Sequence, residues 1–167
     1  MSIKIDGIEE DEARALLLRC CGSAKWVDKM MELRPFGTED GLTEAAGREW
    51  YFLDKEDWPE AFAKHPPVGS DLEELTKSEP EVAELVQSEQ EVLAAAPEEL
   101  RQGLVEGNAK YDEKFDWIYV VRVVAKEADE ILDDLNTRLD NDPDSELQIA
   151  AEQQAEITHL RLLKLAV

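Results

Sequence analysis

Three side chains in this sequence are of types that move protons or grip anions, and each stands where a helix could aim it inward: His65, Glu89 and Arg161. His65 lies in Ala61-Phe62-Ala63-Lys64-His65-Pro66-Pro67-Val68-Gly69. Pro66 keeps the residue before it out of comfortable helical geometry, so the imidazole falls where an amphipathic helix stops. A helix end leaves unsatisfied carbonyls and some solvent access, and an imidazole there titrates near neutral pH, as a proton donor should. A surface histidine that merely ends a helix would have the same local sequence. Glu89 follows Val82, Leu85 and Val86 and precedes Leu93 at spacings that put all five on one helical face. Burying an ionised carboxylate on such a stripe is costly unless a cation or donor is supplied, and an imidazole meets that need. The alternative is a place at the stripe's edge with the carboxylate in water. Arg161 is in phase with Leu147, Ala150, Gln154 and Ile157. A guanidinium facing inward wants an anion, whereas one lying over apolar surface keeps its head in solvent. His159 is off this face and is expected to be exposed.

The elements that must position these groups read as helices. Ala13, Leu16, Leu17 and Cys20 share a face that Gly22-Ser23 interrupts, and Trp26, Val27, Met30 and Met31 continue as a second helix ended by Pro35. Thr38 is a candidate N-cap for a third helix carrying Leu42, Ala45, Ala46, Trp50 and Leu53. Asp57-Trp58-Pro59 reads as an acidic cap and first-turn proline for the short helix that delivers His65. Ser78-Glu79-Pro80-Glu81 reads as a capping box for the helix bearing Glu89. Pro97 opens a helix through Leu100, Leu104, Val105, Asn108 and Tyr111 that ends near Phe115. Trp117 to Ala125 is the one run dominated by β-branched and aromatic residues. It is either extended, with backbone groups that helix ends, another subunit or a polar ligand must satisfy, or a plain buried helix. Ala128, Ile131, Leu132, Leu135 and Leu139 define the next helix, and Asp142-Pro143 cap and open the last.

Composition narrows the functions available to this scaffold. The chain has 167 residues, room for a single domain spanning 1–167 with its own core. Lys+Arg 18 against Asp+Glu 40 gives a formal charge of -22, which argues against nucleic-acid and anionic-membrane partners. The 43% hydrophobic content, recurring with helical period, argues against disorder. A solvated acidic surface also suits high salt, where screening relieves self-repulsion. Cys20 and Cys21 are adjacent and read as a buried thiol pair in a reducing compartment. No basic-apolar leader or membrane-length apolar run is present, which points to the cytoplasm. No phosphate-binding glycine loop, spaced Cys/His cluster or serine elbow occurs, so neither a nucleotide nor a metal is expected.

Taken together the stretches resemble the 2-oxo-4-hydroxy-4-carboxy-5-ureidoimidazoline (OHCU) decarboxylase family of urate degradation. The resemblance is carried by Cys20-Cys21-Gly22-Ser23 with Trp26 and Met30, Arg34-Pro35-Phe36, Ala46 and Trp50, Asp57-Trp58 through Phe62, His65-Pro66 with Gly69, and Glu89-Gln90. It continues through Asn108 and Tyr111, Lys114-Phe115, Arg138-Leu139, Asn141, Glu146, Ala150, Ile157 and Arg161-Leu162. The resemblance implies an all-α, single-domain compact helical bundle that is usually dimeric and cofactor-free. It implies decarboxylation of the ureidoimidazoline to S-allantoin and CO2, on a small acidic substrate.

By the same resemblance His65 is the proton donor, Pro66 lines the site, and Glu89 and Gln90 are the acidic and amide partners. Arg161 binds the substrate, which also touches the backbone of Tyr119, Val120, Val121, Arg122 and Val123. Several positions depart from the family. Leu85-Val86 replace a Trp-Ser pair, so Val86 brings no hydroxyl to a binding position, and Glu91-Val92 replace Ala-Gly. Asp116 and Ala125 stand where glycines are usual, and Arg122 enters a segment that is normally apolar or small. Two alternatives stand beside the decarboxylase: a same-fold relative using a different small acid, and a non-catalytic helical binding protein in which His65 and Glu89 are structural.

Overall fold

The computed structural model describes residues 2–66, 77, 80–89 and 91–167, so the expected capping residues Ser78 and Glu79, Gly69 and Gln90 lie outside the described residues. Among the described residues every regular element is a helix. They pack as two compact units, Met1–Lys64 with Ala151–Val167, and His65–Ala150.

The first unit contains α1 (Lys4–Gly7), α2 (Glu10–Cys20), α3 (Ala24–Leu33), α4 (Glu39–Phe52), α5 (Trp58–Phe62) and the part of the last helix from Ala151 onward. The expected apolar faces are the ones buried: Ala13, Leu16, Leu17 and Cys20 on α2, Trp26, Val27 and Met30 on α3, and Leu42, Ala45, Ala46 and Trp50 on α4. Three indoles each find a carbonyl, as a buried N–H must: Trp26 on Ala46, Trp50 on Ala151 and Trp58 on Trp50. Thr38 caps α4 as expected, accepting from the Gly41 N–H at 3.0 Å, and Ser23 does the same for α3 through Trp26 at 3.2 Å.

Asp57 departs from expectation. It makes no capping bond to α5, which is entered instead through a 3-10 turn at Lys55–Asp57. Its carboxylate is taken by Lys25, with both oxygens within 3.1 Å of the ammonium. Glu60, one turn into α5, accepts from the Ala24 N–H at the start of α3 at 2.9 Å. These contacts tie the short helix preceding His65 to the Gly22–Lys25 corner. Gly22 is required there, because a Cβ would fall 2.2 Å from Cγ of Lys64.

The second unit contains α6 (Pro80–Glu89), α7 (Glu91–Ala94), α8 (Glu98–Phe115), α9 (Ala128–Leu139) and the opening turns of α10 (Pro143–Leu165). Its core joins Leu93, Leu104, Tyr111, Phe115, Tyr119, Val121, Val123, Ile131 and Leu135. The inward face of α8 runs through Leu104, Gly107, Tyr111 and Phe115, whereas Val105 is 56% exposed. The glycines set which side packs. Cβ atoms at Gly103 and Gly107 would fall 3.1 and 2.5 Å from Leu132 and Leu135, so α9 seats against the glycine side of α8.

The run from Trp117 to Ala125 is neither strand nor helix. It leaves α8 through Asp116 at φ 62° and turns back at Ala125, φ 66°, where the Lys126 N–H reaches the Val123 carbonyl at 3.1 Å. Both left-handed residues occupy positions where the family resemblance expects glycine. β-propensity describes side chains that fit a half-buried surface, and here that surface is made by helices.

Candidate active site

His65 is half-buried at the bend that follows α5, directly after the turn in which the Ala63 and Lys64 N–H groups bond the Pro59 and Ala61 carbonyls. Its placement agrees with the sequence: the helix has ended, and Pro66, also half-buried, prevents it from resuming. On α6, Leu85 and Val86 are buried, as is Leu93 on α7. Glu89 is the last residue of α6 and is half-buried. Of the stripe expected from Val82 to Leu93, Leu85, Val86 and Leu93 are thus buried and Glu89 is half-buried, while Gln90, between Glu89 and Glu91, lies outside the described residues.

Tyr119, Val120, Val121 and Val123 are all buried, and Arg122 is half-buried between them. Their backbone is held by a cluster that the sequence reading quoted only as motif residues. Arg138, 3% exposed, donates through Nη1 to the Val120 carbonyl at 2.7 Å and through Nε to both Oε atoms of Glu146 at 3.1 and 2.8 Å. Glu146 is fully buried and also accepts from the Tyr111 hydroxyl at 2.6 Å and from Asn141 at 3.2 Å. The Tyr111 hydroxyl in turn accepts the Trp117 indole N–H at 3.0 Å, while the Tyr119 hydroxyl donates to Asp134. The guanidinium lies 4.7 Å from the Tyr119 ring centroid and 5.8 Å from that of Tyr111.

The electrostatics of this cluster are settled by its charge partners. Burial alone would lower the Arg138 pKa, but the hydrogen bonds and charge of Glu146 more than offset it, and the guanidinium is held firmly protonated. Burial, reinforced by Asp134, raises the Tyr119 phenol, and burial with Glu146 raises that of Tyr111. A signal for the pair was present in the sequence. Arg138 is in phase with Ala128, Ile131 and Leu135, and all four are buried on α9.

Arg161 belongs to the first unit, whereas His65, Pro66, Val86, Glu89 and Tyr119–Val123 belong to the second. It is 8% exposed, on the same buried face of α10 as Ala150, Gln154 and Ile157, while His159 is exposed as expected. Its Nη1 donates to the Arg19 carbonyl at 3.0 Å, and Thr158, which accepts from Gln154, donates to the Cys20 carbonyl at 3.3 Å. Side chains of α10 thus satisfy the carbonyls that end α2. Cys20 and Cys21 are both buried thiols outside any disulfide. Burial pushes the Cys21 thiol up to about 12 despite opposing bonds from Ser23 and Thr158 and the nearby Arg161 charge.

Among the described residues no group of three or more His, Cys, Asp or Glu side chains is placed to hold a metal ion, and no helix is long and apolar enough to cross a membrane.

A model of the OHCU decarboxylase family matches residues 6–163. The chain belongs to the OHCU decarboxylase family. Among curated proteins, the uric acid degradation bifunctional protein TTL of Arabidopsis thaliana is 32% identical over 159 residues, 95% of this chain. The match takes in 47% of that relative, so the chain spans about half its length. Among solved structures, an OHCU decarboxylase crystallised in the presence of (S)-allantoin is similar with a TM-score of 0.75 and 29% identity, covering 95% of this chain and 98% of that one. An (S)-allantoin synthase shares the fold at TM-score 0.69 and 16% identity, covering 96% of this chain and 52% of that one. The all-helical fold expected of an OHCU decarboxylase is the fold found.

Proposed function

We propose that this protein decarboxylates 2-oxo-4-hydroxy-4-carboxy-5-ureidoimidazoline to (S)-allantoin and CO2 without a cofactor, working as one catalytic domain across residues 1–167. The observation that carries this reading is the match to the OHCU decarboxylase family along nearly the whole chain, together with likeness to a structure obtained with (S)-allantoin. The chemistry is consistent with the side chains available. When the C–C bond to the carboxylate breaks and CO2 leaves, the electron pair stays on the ring carbon and is held by the substrate's own conjugated C=N system. No external electron sink is needed. The protein must grip the ring, stabilise its negative edge and return one proton to one face.

Arg161 serves the grip and the charge through a forked, charge-assisted contact. His65 serves as general acid, kept protonated by Glu89, an assistance typically worth on the order of 10²–10⁴ in rate. To Pro66, Val86, Gln90 and the peptide groups of Tyr119–Val123 we assign further contacts with the substrate. We place the reaction in the cytoplasm, where the reduced thiols of Cys20 and Cys21 persist, and in a homodimer.

Freshly generated substrate, followed by circular dichroism for chiral allantoin, tests the reading. The parent should accelerate the appearance of (S)-allantoin, and His65→Asn should remove most of that acceleration with the fold intact. A residue at a bend contributes little core volume, and His159 is exposed and unable to substitute. Turnover by His65→Asn within about threefold of the parent, a barrier change of only ~0.65 kcal/mol, would overturn the assignment.

A further inference from the structure

The Arg138–Glu146 pair takes no part in the chemistry above, yet it is the most deeply buried ion pair among the described residues, at 3% and 0% side-chain exposure. Apolar residues of similar volume are often as stable as such a pair, so its geometry needs a reason. The bonds converge on one object. Arg138 holds the Val120 carbonyl and underlies the Tyr119 ring, and through Glu146 and the Tyr111 hydroxyl the same cluster holds the Trp117 indole. Trp117 to Val123 has no helix or sheet of its own to fix its peptide planes. Its conformation depends on these side-chain anchors.

We propose that Arg138 is a positioning residue of the decarboxylation, acting through the Tyr119–Val121 backbone and never on the substrate itself. Because Arg138 occupies the Val120 carbonyl and the Lys126 N–H occupies that of Val123, the peptide groups these two residues present to a ligand are N–H donors. Donors suit the carboxylate and carbonyl edge of an acidic ureidoimidazoline. The inference rests on the decarboxylase reading, in which this segment meets the substrate. A fork is required for the task, since one group must serve Val120 and both oxygens of Glu146 together.

Arg138→Lys keeps the charge and loses the fork. Its KM should rise about tenfold with kcat within about threefold of the parent and an unchanged pH profile, because weakened ground-state binding appears in KM. Weakened (S)-allantoin affinity by calorimetry should accompany it. A purely structural role would instead lower kcat in proportion to the unfolded fraction and leave KM at the parental value, which would overturn the proposal. If Arg138→Lys does not fold, Arg138→Met with Glu146→Leu removes both charges at similar volume; a raised KM again supports the proposal and a parental KM overturns it. A parent that fails to decarboxylate the substrate defeats the functional reading separately. In that case amide hydrogen exchange decides: faster exchange confined to residues 119–123 in the variant supports the holding role, and unchanged exchange overturns it.

Discussion

Arg161 has two uses for one guanidinium. Its Nη1 donates to the Arg19 carbonyl at the end of α2, while the proposed reaction needs a forked contact to the substrate's oxygens. A lysine there could bond the same carbonyl and keep the charge, but it has no second arm. Arg161→Lys is therefore expected to fold, with little change in melting temperature, and to lose one to two powers of ten in turnover. That range corresponds to roughly 1.5–3 kcal/mol for a charge-assisted contact. Parental kinetics from this variant would leave Arg161 as the cap of α2 alone and pass the anion-binding role to Arg122. Periodicity made Arg161 legible because a single long helix keeps phase over its whole length. It was less informative for Glu89, which is half-buried on a face whose Leu85 and Val86 are buried. Arg138 and Glu146 were legible in principle, each in phase with an apolar face, but the bond between them joins two helices and no pattern within one helix announces it.

Helix boundaries were readable where a short polar side chain closes them locally. Thr38 and Asp142 both cap as expected, with Asp142 accepting from the Ser145 N–H at 3.0 Å. Asp57 failed because Lys25, distant in sequence, competes for the carboxylate. The path of the 117–125 segment was not readable for the same reason, since helices packed around it decide where it runs. Its two ends carry a cost that can be measured. Asp tolerates the left-handed region, but at Ala125 the Cβ opposes φ 66°. Ala125→Gly removes about 1–2 kcal/mol of that opposition and gives back about 0.5–1 kcal/mol through the freer unfolded chain. A net gain of roughly 0.5–1 kcal/mol is expected, read as a higher urea midpoint at unchanged slope. A lower midpoint would mean that Ala125 is not strained.

At the scale of the molecule the carboxylates outnumber the cations by 22, and most of the ion pairs described lie near the surface, as Arg14–Asp28 and Lys29–Glu32 do. Such pairs stabilise little, so the excess charge acts mainly as self-repulsion. Salt shortens its reach from about 30 Å at 0.01 M to about 3 Å at 1 M. The melting temperature should rise by about 2–4 °C or more between those conditions, the lower bound being the equivalent of roughly 1 kcal/mol for a chain of this size. Equal melting in both would remove the connection between composition and a saline setting.

The placement of the indoles gives this protein a built-in pair of reporters. Trp26, Trp50 and Trp58 are buried in the first unit, each bonded to a carbonyl, while Trp117 is the sole tryptophan of the second. Intrinsic emission during unfolding therefore follows mostly the first unit, whereas the helical signal in the far ultraviolet weighs both. Coincident curves from the two probes are the expected behaviour of one cooperative domain, and a Trp117→Phe variant would turn emission into a probe of the first unit alone.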